Sequence, residues 1–327
     1  MNSARLRRSF CLGTALLVAT CIPRIAAAQR YPEKAVRFVV PYGVGGNADI
    51  VARIVSQRLA EALGAQIVID NRPGAGGNLG AEVGARAAPD GYTIVLGTNT
   101  HASNMSLYRK SQYDLVRDFT PVSFIGSTPV LLTVTPSLAV TTVQELINLA
   151  KAKPGALNYA SGGSGSSGHL TMELFKTMAG VDLTHITYKG AGGGMNEVIA
   201  GQVQVMFSSL TSLLPHVNSG RLRGIAVASL QRVSIVQHLP TVAESGLPGF
   251  EAALWNALMV PAGTARSIVD KLNLETDRVV RNPEVIEQLR RQGFAAATKT
   301  PAALAAFIKS EVAKWATVVK AAGARAD

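Results

Sequence analysis

The sequence predicts an α/β protein built as two lobes with a ligand cleft between them. Three observations carry this prediction. Apolar strand-like runs alternate with helix-like segments, the joints between them are rich in glycine, and roughly 300 residues remain after an N-terminal leader, enough for two domains.

The elements follow in order. Residues 1–28 read as a secretory signal peptide. Arg5, Arg7 and Arg8 form a positive start, and Cys11 to Ile22 is an apolar run too short for a membrane span. Ala26-Ala27-Ala28 before Gln29 is a small-residue cleavage pattern. Cleavage after Ala28 and a periplasmic location are expected. Arg7-Arg8-Ser9-Phe10 hints at twin-arginine export. Val18-Ala19-Thr20-Cys21 is a poor lipoprotein box, because Thr20 is wrong before the cysteine, so no lipid anchor is expected. Val36 to Val40 then reads as a buried strand and Asp49 to Leu63 as a helix, with Ile50, Ile54, Leu59 and Leu63 at helical spacing. Gln66 to Ile69, Tyr92 to Leu96 and Val130 to Val134 read as strands. Thr142 and Glu145 form a capping box that opens a helix to Ala152. A strand at Asn158 to Ala160 and a helix at Ser167 to Ala179 come next, then strands at Leu183 to Tyr188, Val203 to Phe207 and Leu222 to Ala228. Helices at Ala265 to Val280 and Pro301 to Ala321 close the chain. Such alternation implies parallel-sheet layers.

Composition excludes several function classes. Both cysteines, Cys11 and Cys21, fall in the leader, which removes disulfides, thiol catalysis and cysteine–metal sites from the mature chain. Net charge is +11. The leader holds Arg5, Arg7, Arg8 and Arg24 and no acids, which leaves about +7. Basic residues cluster only as pairs such as Arg290-Arg291, and aromatics are few, so no nucleic-acid partner is expected. Spread positive charge favours the approach of small anions. His101, His169, His185, His216 and His238 form no ligand pair, so no metal is expected, and no cofactor either.

The informative joints are four glycine-rich loops, at 41–49, 71–78, 161–168 and 188–194. In open α/β sheets ligands sit at the carboxyl ends of strands, where glycine allows close approach and the next helix offers unpaired N–H groups to an anion. Gly163-Ser164-Gly165-Ser166-Ser167-Gly168 matches the dinucleotide fingerprint, but Asp182 precedes the strand at whose end the fingerprint needs an acid. An anion cradle of serine hydroxyls and backbone N–H groups is the better reading. A hydrolase using Ser164 or Ser166 with His169 is the alternative, although no G-x-S-x-G elbow is present. Asp49 in the first turn of its helix either organises the loop, an effect of about 0.3–1 kcal/mol from the helix dipole, or faces the ligand. It would repel a bound carboxylate, which favours the loop role.

Pro41-Tyr42-x-x-Gly45-Gly46-x-x-Asp49 with Ala52-Arg53, Asn71-Arg72-Pro73-Gly74-Ala75-Gly76-Gly77, Ala88-Pro89-Asp90-Gly91-Tyr92-Thr93, Tyr159-Ala160-Ser161, Tyr188-Lys189-Gly190, Gly201-Gln202-Val203 and Leu239-Pro240-Thr241-Val242-x-Glu244-x-Gly246 run in one order along the mature chain. Together they resemble the substrate-binding proteins of tripartite tricarboxylate transporters, also called Bug proteins. The resemblance implies a type II periplasmic-binding fold and no enzymatic activity. Lobe 1 would comprise 29–128 plus 253–327, and lobe 2 would comprise 129–252. It implies a small di- or tricarboxylate or related acid as ligand, delivered to membrane transporter subunits or presented to a sensor kinase by a monomer. The implied ligand-binding residues are Tyr42, Gly43, Val44, Gly45, Gly46 and Asn47, with Asp49, then Thr98, Asn99, Thr100 and His101 in lobe 1. In lobe 2 they are Ser161, Gly162, Gly163, Ser164, Gly165, Ser166 and Ser167. The chain departs from the family pattern at Val44, where Pro or Ala is common, at Ser103 and Met105, at Gly193, and at Gln204 and Ser208, where acids are common. An uncharged Ser208 favours a more anionic ligand or one without an ammonium group.

Overall fold

The computed structural model describes residues 31–326; the expected signal peptide and its cleavage site lie outside the described residues. Its centre is a mixed sheet with helices on both faces. In the first lobe β1 (Val36–Val40) lies between β2 (Ile67–Asn71) and β3 (Thr93–Thr98), both parallel to it. Helices α1 (Asn47–Leu63) and α2 (Asn78–Ala85) make the crossovers, and α3 (Asn99–Leu107) leaves β3 at once.

β4 (Phe119–Val134) runs through both lobes. At 16 residues it spans about 50 Å. Its first part pairs antiparallel with β9 (Ala253–Pro261), which pairs on its other side with β3. Its last residues, Val130 to Val134, pair antiparallel with β7 (Val205–Ser209) and β8 (Arg223–Val227) in the second lobe. There β5 (Asn158–Ser161) lies parallel to β6 (Thr184–Thr187) and to β7. Around these strands stand α4 (Val143–Ala152), α5 (Ser167–Ala179), α6 (Ala191–Ile199) and α7 (Leu210–Asn218). α8 (Arg266–Val280), α9 (Pro283–Arg291), a short β10 (Ala295–Ala296) on β4, and α10 (Pro301–Ala322) complete the chain.

Alternation along the second-lobe strands builds two cores. Leu131, Ala160, Met206 and Val227 face one cluster with Val198, Leu210 and Leu213. Leu132, Tyr159, Phe207 and Ala226 face the other, where Phe175, Phe207 and Phe250 pack with ring centroids 5.9–6.3 Å apart. The two-residue period of a strand explains why neighbours in sequence serve opposite cores.

Most expected elements form close to their predicted bounds, including α5 and the Thr142–Glu145 capping box that opens α4. The strand expected at Val130 to Val134 is only the end of the longer β4. α2, α3, α6, α7 and α9 were not expected. Gly80 and Gly84 dilute α2, three glycines open α6, α3 has almost no apolar periodicity, and α7 contains Pro215. Packing overrides weak local propensity at these four places, whereas α9 carries its own start signal in Asn282 and Pro283.

α10 packs on α3 from the first lobe and on α5 from the second. Its Glu311 is buried and accepts N–H bonds from Trp255 on β9 at 2.8 Å and from Trp315 at 3.1 Å, while Lys314 pairs with it. Truncating this carboxylate strands two buried indole donors. Glu311→Ala should therefore lower unfolding free energy by about 3 kcal/mol in urea titration. Glu311→Gln keeps an acceptor and should lose less.

Candidate ligand-binding site

The loop from Tyr42 to Asn47 joins β1 to α1. Gly43, Val44, Gly45, Gly46 and Asn47 are exposed, and Asp49 beneath them is 1% exposed. The Asp49 carboxylate accepts the Gly45 N–H at 2.9 Å, Arg53 Nε at 2.9 Å and Asn71 Nδ2 at 2.9 Å. Asn71 Nδ2 also donates to the Tyr42 carbonyl at 3.0 Å. Burial alone would raise the Asp49 carboxyl, but these donors hold it below its ordinary value. Its three partners are all parts of the loop and its flanks.

Thr98 caps α3, and His101 three residues later closes the cap. His101 Nδ1 accepts the Thr98 N–H at 3.0 Å, and Tyr42 O–H lies 2.6 Å from Thr98 Oγ1. With Nδ1 an acceptor, the neutral ring carries its proton on Nε2, which faces the Gly77 carbonyl at 3.4 Å. The ring is fully buried, so His101 acts on the site through Thr98.

The second lobe repeats the device. Ser166 caps α5, and His169 stands at the same third position, its Nδ1 accepting the Gly165 N–H at 2.9 Å. Ser161 Oγ lies 2.6 Å from His185 Nε2 and exchanges contacts with the Gly163 N–H and carbonyl at 3.2 and 3.1 Å. Ser161 is wholly buried, whereas Ser164 is exposed. Neither pattern is that of a nucleophile. Ser166 Oγ faces the backbone N–H of His169 rather than its ring, and Ser161, which does lie beside an imidazole nitrogen, has no surface.

Contacts join the two lobes across these helix starts. Asn99 Nδ2 donates to Ser167 Oγ at 3.1 Å. Gly165, at φ +77°, sits so close to Leu107 of α3 that a Cβ would come within 2.3 Å of its side chain. Beside them lies a cavity of about 300 Å³, bounded by Gly162, Ser166, Ser167 and Gly168, by Ala191 at the start of α6, by Ser208, Ser209 and Ser212 around the start of α7, and by Val130 and Leu254 of the two long strands. Three helix N-termini thus surround one hydroxyl-rich hollow, with N–H groups and partial positive charge suited to an anion. Of the residues expected to bind, the structure brings Gly162, Ser166 and Ser167 to this cavity and Asn99 to its edge. The loop at 42–47, with Gly163 and Ser164, does not line it.

The sequence matches the tripartite tricarboxylate transporter family receptor over residues 51–324. BugT of Bordetella pertussis is 35% identical over 301 residues, covering 91% of this chain and 92% of the relative. A solved R. palustris protein with adipate is 39% identical with a TM-score of 0.75, covering 90% of this chain and 99% of the other. MatC from Rhodopseudomonas palustris with bound malate is 32% identical with a TM-score of 0.71, covering 88% and 100%.

The chain belongs to the tripartite tricarboxylate transporter receptor family.

It is a solute-binding protein, not an enzyme, and has the two-lobed fold of periplasmic binding proteins. In this receptor the sequence reading passed over Ser209, Ser212, Leu107 and the His169–His185 pair. A signal existed for some of them. Ser208-Ser209-Leu210-Thr211-Ser212 is a hydroxyl-rich run at a strand end, Thr98-x-x-His101 is a capping box with imidazole in place of Glu or Gln, and Ser166-x-x-His169 has the same spacing, although its ring accepts from Gly165 rather than from the N-cap.

Burial lowers both capping histidines to about 4. In the unfolded chain they titrate near 6.5. The unfolded state therefore binds more protons between those values, and the stability these rings contribute is full above about pH 6.5 and erodes as pH falls toward 4. Asp49, with its lowered carboxyl, adds a loss only at more acid pH. Calorimetric Tm should stay flat from pH 8 to 7 and fall steadily from about 6.5 to 4.5. A rise over the lower interval would contradict the buried neutral rings.

Proposed function

We propose that this receptor captures a small organic dicarboxylate or related acid in the cleft and passes it to a membrane transporter of the tripartite tricarboxylate type. The observation that carries the reading is the meeting of the α5, α6 and α7 N-termini at one serine-lined cavity, with α3 reaching it through Asn99. A carboxylate there gains charge-assisted hydrogen bonds of about 1.5–3 kcal/mol each. The solved relatives carrying adipate and malate support the ligand class. Ser208, with no charge of its own at the cavity wall, favours a fully anionic ligand over one bearing an ammonium group.

On this reading the lobes are 29–128 with 253–327, and 129–252, closing about β4 and β9, and the mature chain starts at Gln29 in the periplasm. The residues divide by role. Gly162, Ser166, Ser167 and Asn99 meet the ligand. The Tyr42 to Asn47 loop, Thr98, Thr100, Gly163 and Ser164 form the rim that approaches on closure. Asp49, His101, Ser161 and Gly165 hold those groups in place.

Gly165 is the sharpest probe. Its positive φ disfavours any side chain, and a Cβ there would meet the Leu107 side chain at 2.3 Å. Gly165→Val should abolish binding of adipate and malate in isothermal titration calorimetry. Ser164→Ala, at an exposed position, should weaken binding moderately and leave the unliganded Tm unchanged. Wild-type affinity in Gly165→Val would remove the serine loop from the site.

A further inference from the structure

The serine loop is gripped from beneath by a stack of three rings. Tyr159 on β5, His185 on β6 and His169 on α5 lie nearly parallel. Tyr159 and His185 are 4.8 Å apart at 12°, and His185 and His169 are 4.2 Å apart at 9°. Each imidazole reaches the loop through one nitrogen, His185 at its entry through Ser161 Oγ and His169 near its exit through the Gly165 N–H. Tyr159 is anchored in turn, its O–H donating to Glu173 Oε1 at 2.6 Å, and Glu173 pairs with Lys176 at 3.0 Å. None of the three rings lines the cavity.

We propose that His169 and His185 are positioning residues for ligand capture, a stacked pair that holds both ends of the Ser161–Ser167 loop in its binding shape. The proposal rests on the reading of that loop as part of a carboxylate site. The His169 grip requires a neutral ring. Protonation of His169 at Nδ1 replaces the acceptor facing the Gly165 N–H with a second donor. A second cation at 4.2 Å would also repel the first. The charged groups facing the pair are Glu173 and Lys176 on α5, of opposite sign, with Asp182 beyond Lys176 at 3.7 Å, and the Tyr159 phenol on β5. Glu173 favours a charged ring and Lys176 opposes it, while burial works against charge on both histidines. The loop therefore stays fixed at neutral pH and loosens only in acid.

The test uses the mature chain, adipate and malate as probes, and two readouts. His169→Phe keeps a flat ring in the stack and removes the acceptor. His169→Asn restores an acceptor without a titrating group. Far-UV dichroism and Tm establish that each variant folds. In His169→Phe the Gly165 amide should exchange about tenfold faster with solvent, and affinity for the acid that binds wild type should fall about tenfold, the worth of one hydrogen bond. His169→Asn should recover most of both. A Gly165 amide as protected in His169→Phe as in wild type overturns the proposal, and this readout needs no ligand. A freed amide with unchanged affinity instead overturns the assignment of the loop to the ligand site.

Discussion

Everything at the cleft depends on how two helices begin. The N-termini of α3 and α5 carry unpaired N–H groups that must find partners, and in both the third residue is a histidine whose Nδ1 takes a backbone N–H just outside the helix. Each imidazole satisfies one donor just outside the helix and fixes the loop that enters it, while in α5 the Ser166 hydroxyl takes the N–H of His169. Burial keeps both rings neutral, and neutrality is what makes them acceptors. A buried cation would defeat the cap.

The rest of the fold serves to bring these starts together. β4 and β9 carry the chain as extended strands, and β4 changes partners near Pro129, from β9 to β7. α10 packs behind both α3 and α5 and is tied to β9 through Glu311 and the two tryptophans. The Asn99–Ser167 bond and the seat of Gly165 against Leu107 then join the lobes over the cavity. Two strands and one helix thus frame a gap in which two helix starts can approach one small anion from different sides.

Much of this was legible in the sequence. Glycine-rich joints between strands and helices located the loops, and the spacing of Thr142 and Glu145 located a helix start that forms as expected. Asp49 was legible as a loop organiser, because a carboxylate at a helix start would repel an anionic ligand, and its bonds to Gly45, Arg53 and Asn71 are those of an organiser. What the sequence hid was long-range. Ser209 and Ser212 reach the cavity only because β7 lies beside β5 and β4, and His185 meets His169 only because β6 pairs with β5. No local pattern encodes such neighbours. The helices α3 and α6 were hidden for the opposite reason, since their own residues barely favour helix and packing decides the matter.

The central claim is that a carboxylate is held by main-chain N–H groups at the start of α5, within reach of the start of α3. Amide chemical shifts followed by heteronuclear NMR test it most directly, during titration with a panel of mono-, di- and tricarboxylates. For any acid that binds, the largest changes should fall on the amides of residues 162–168 and 98–101, with the α5 first-turn protons moving downfield as they bond to an anion. Binding with these amides unmoved, and the changes gathered elsewhere, would contradict the account.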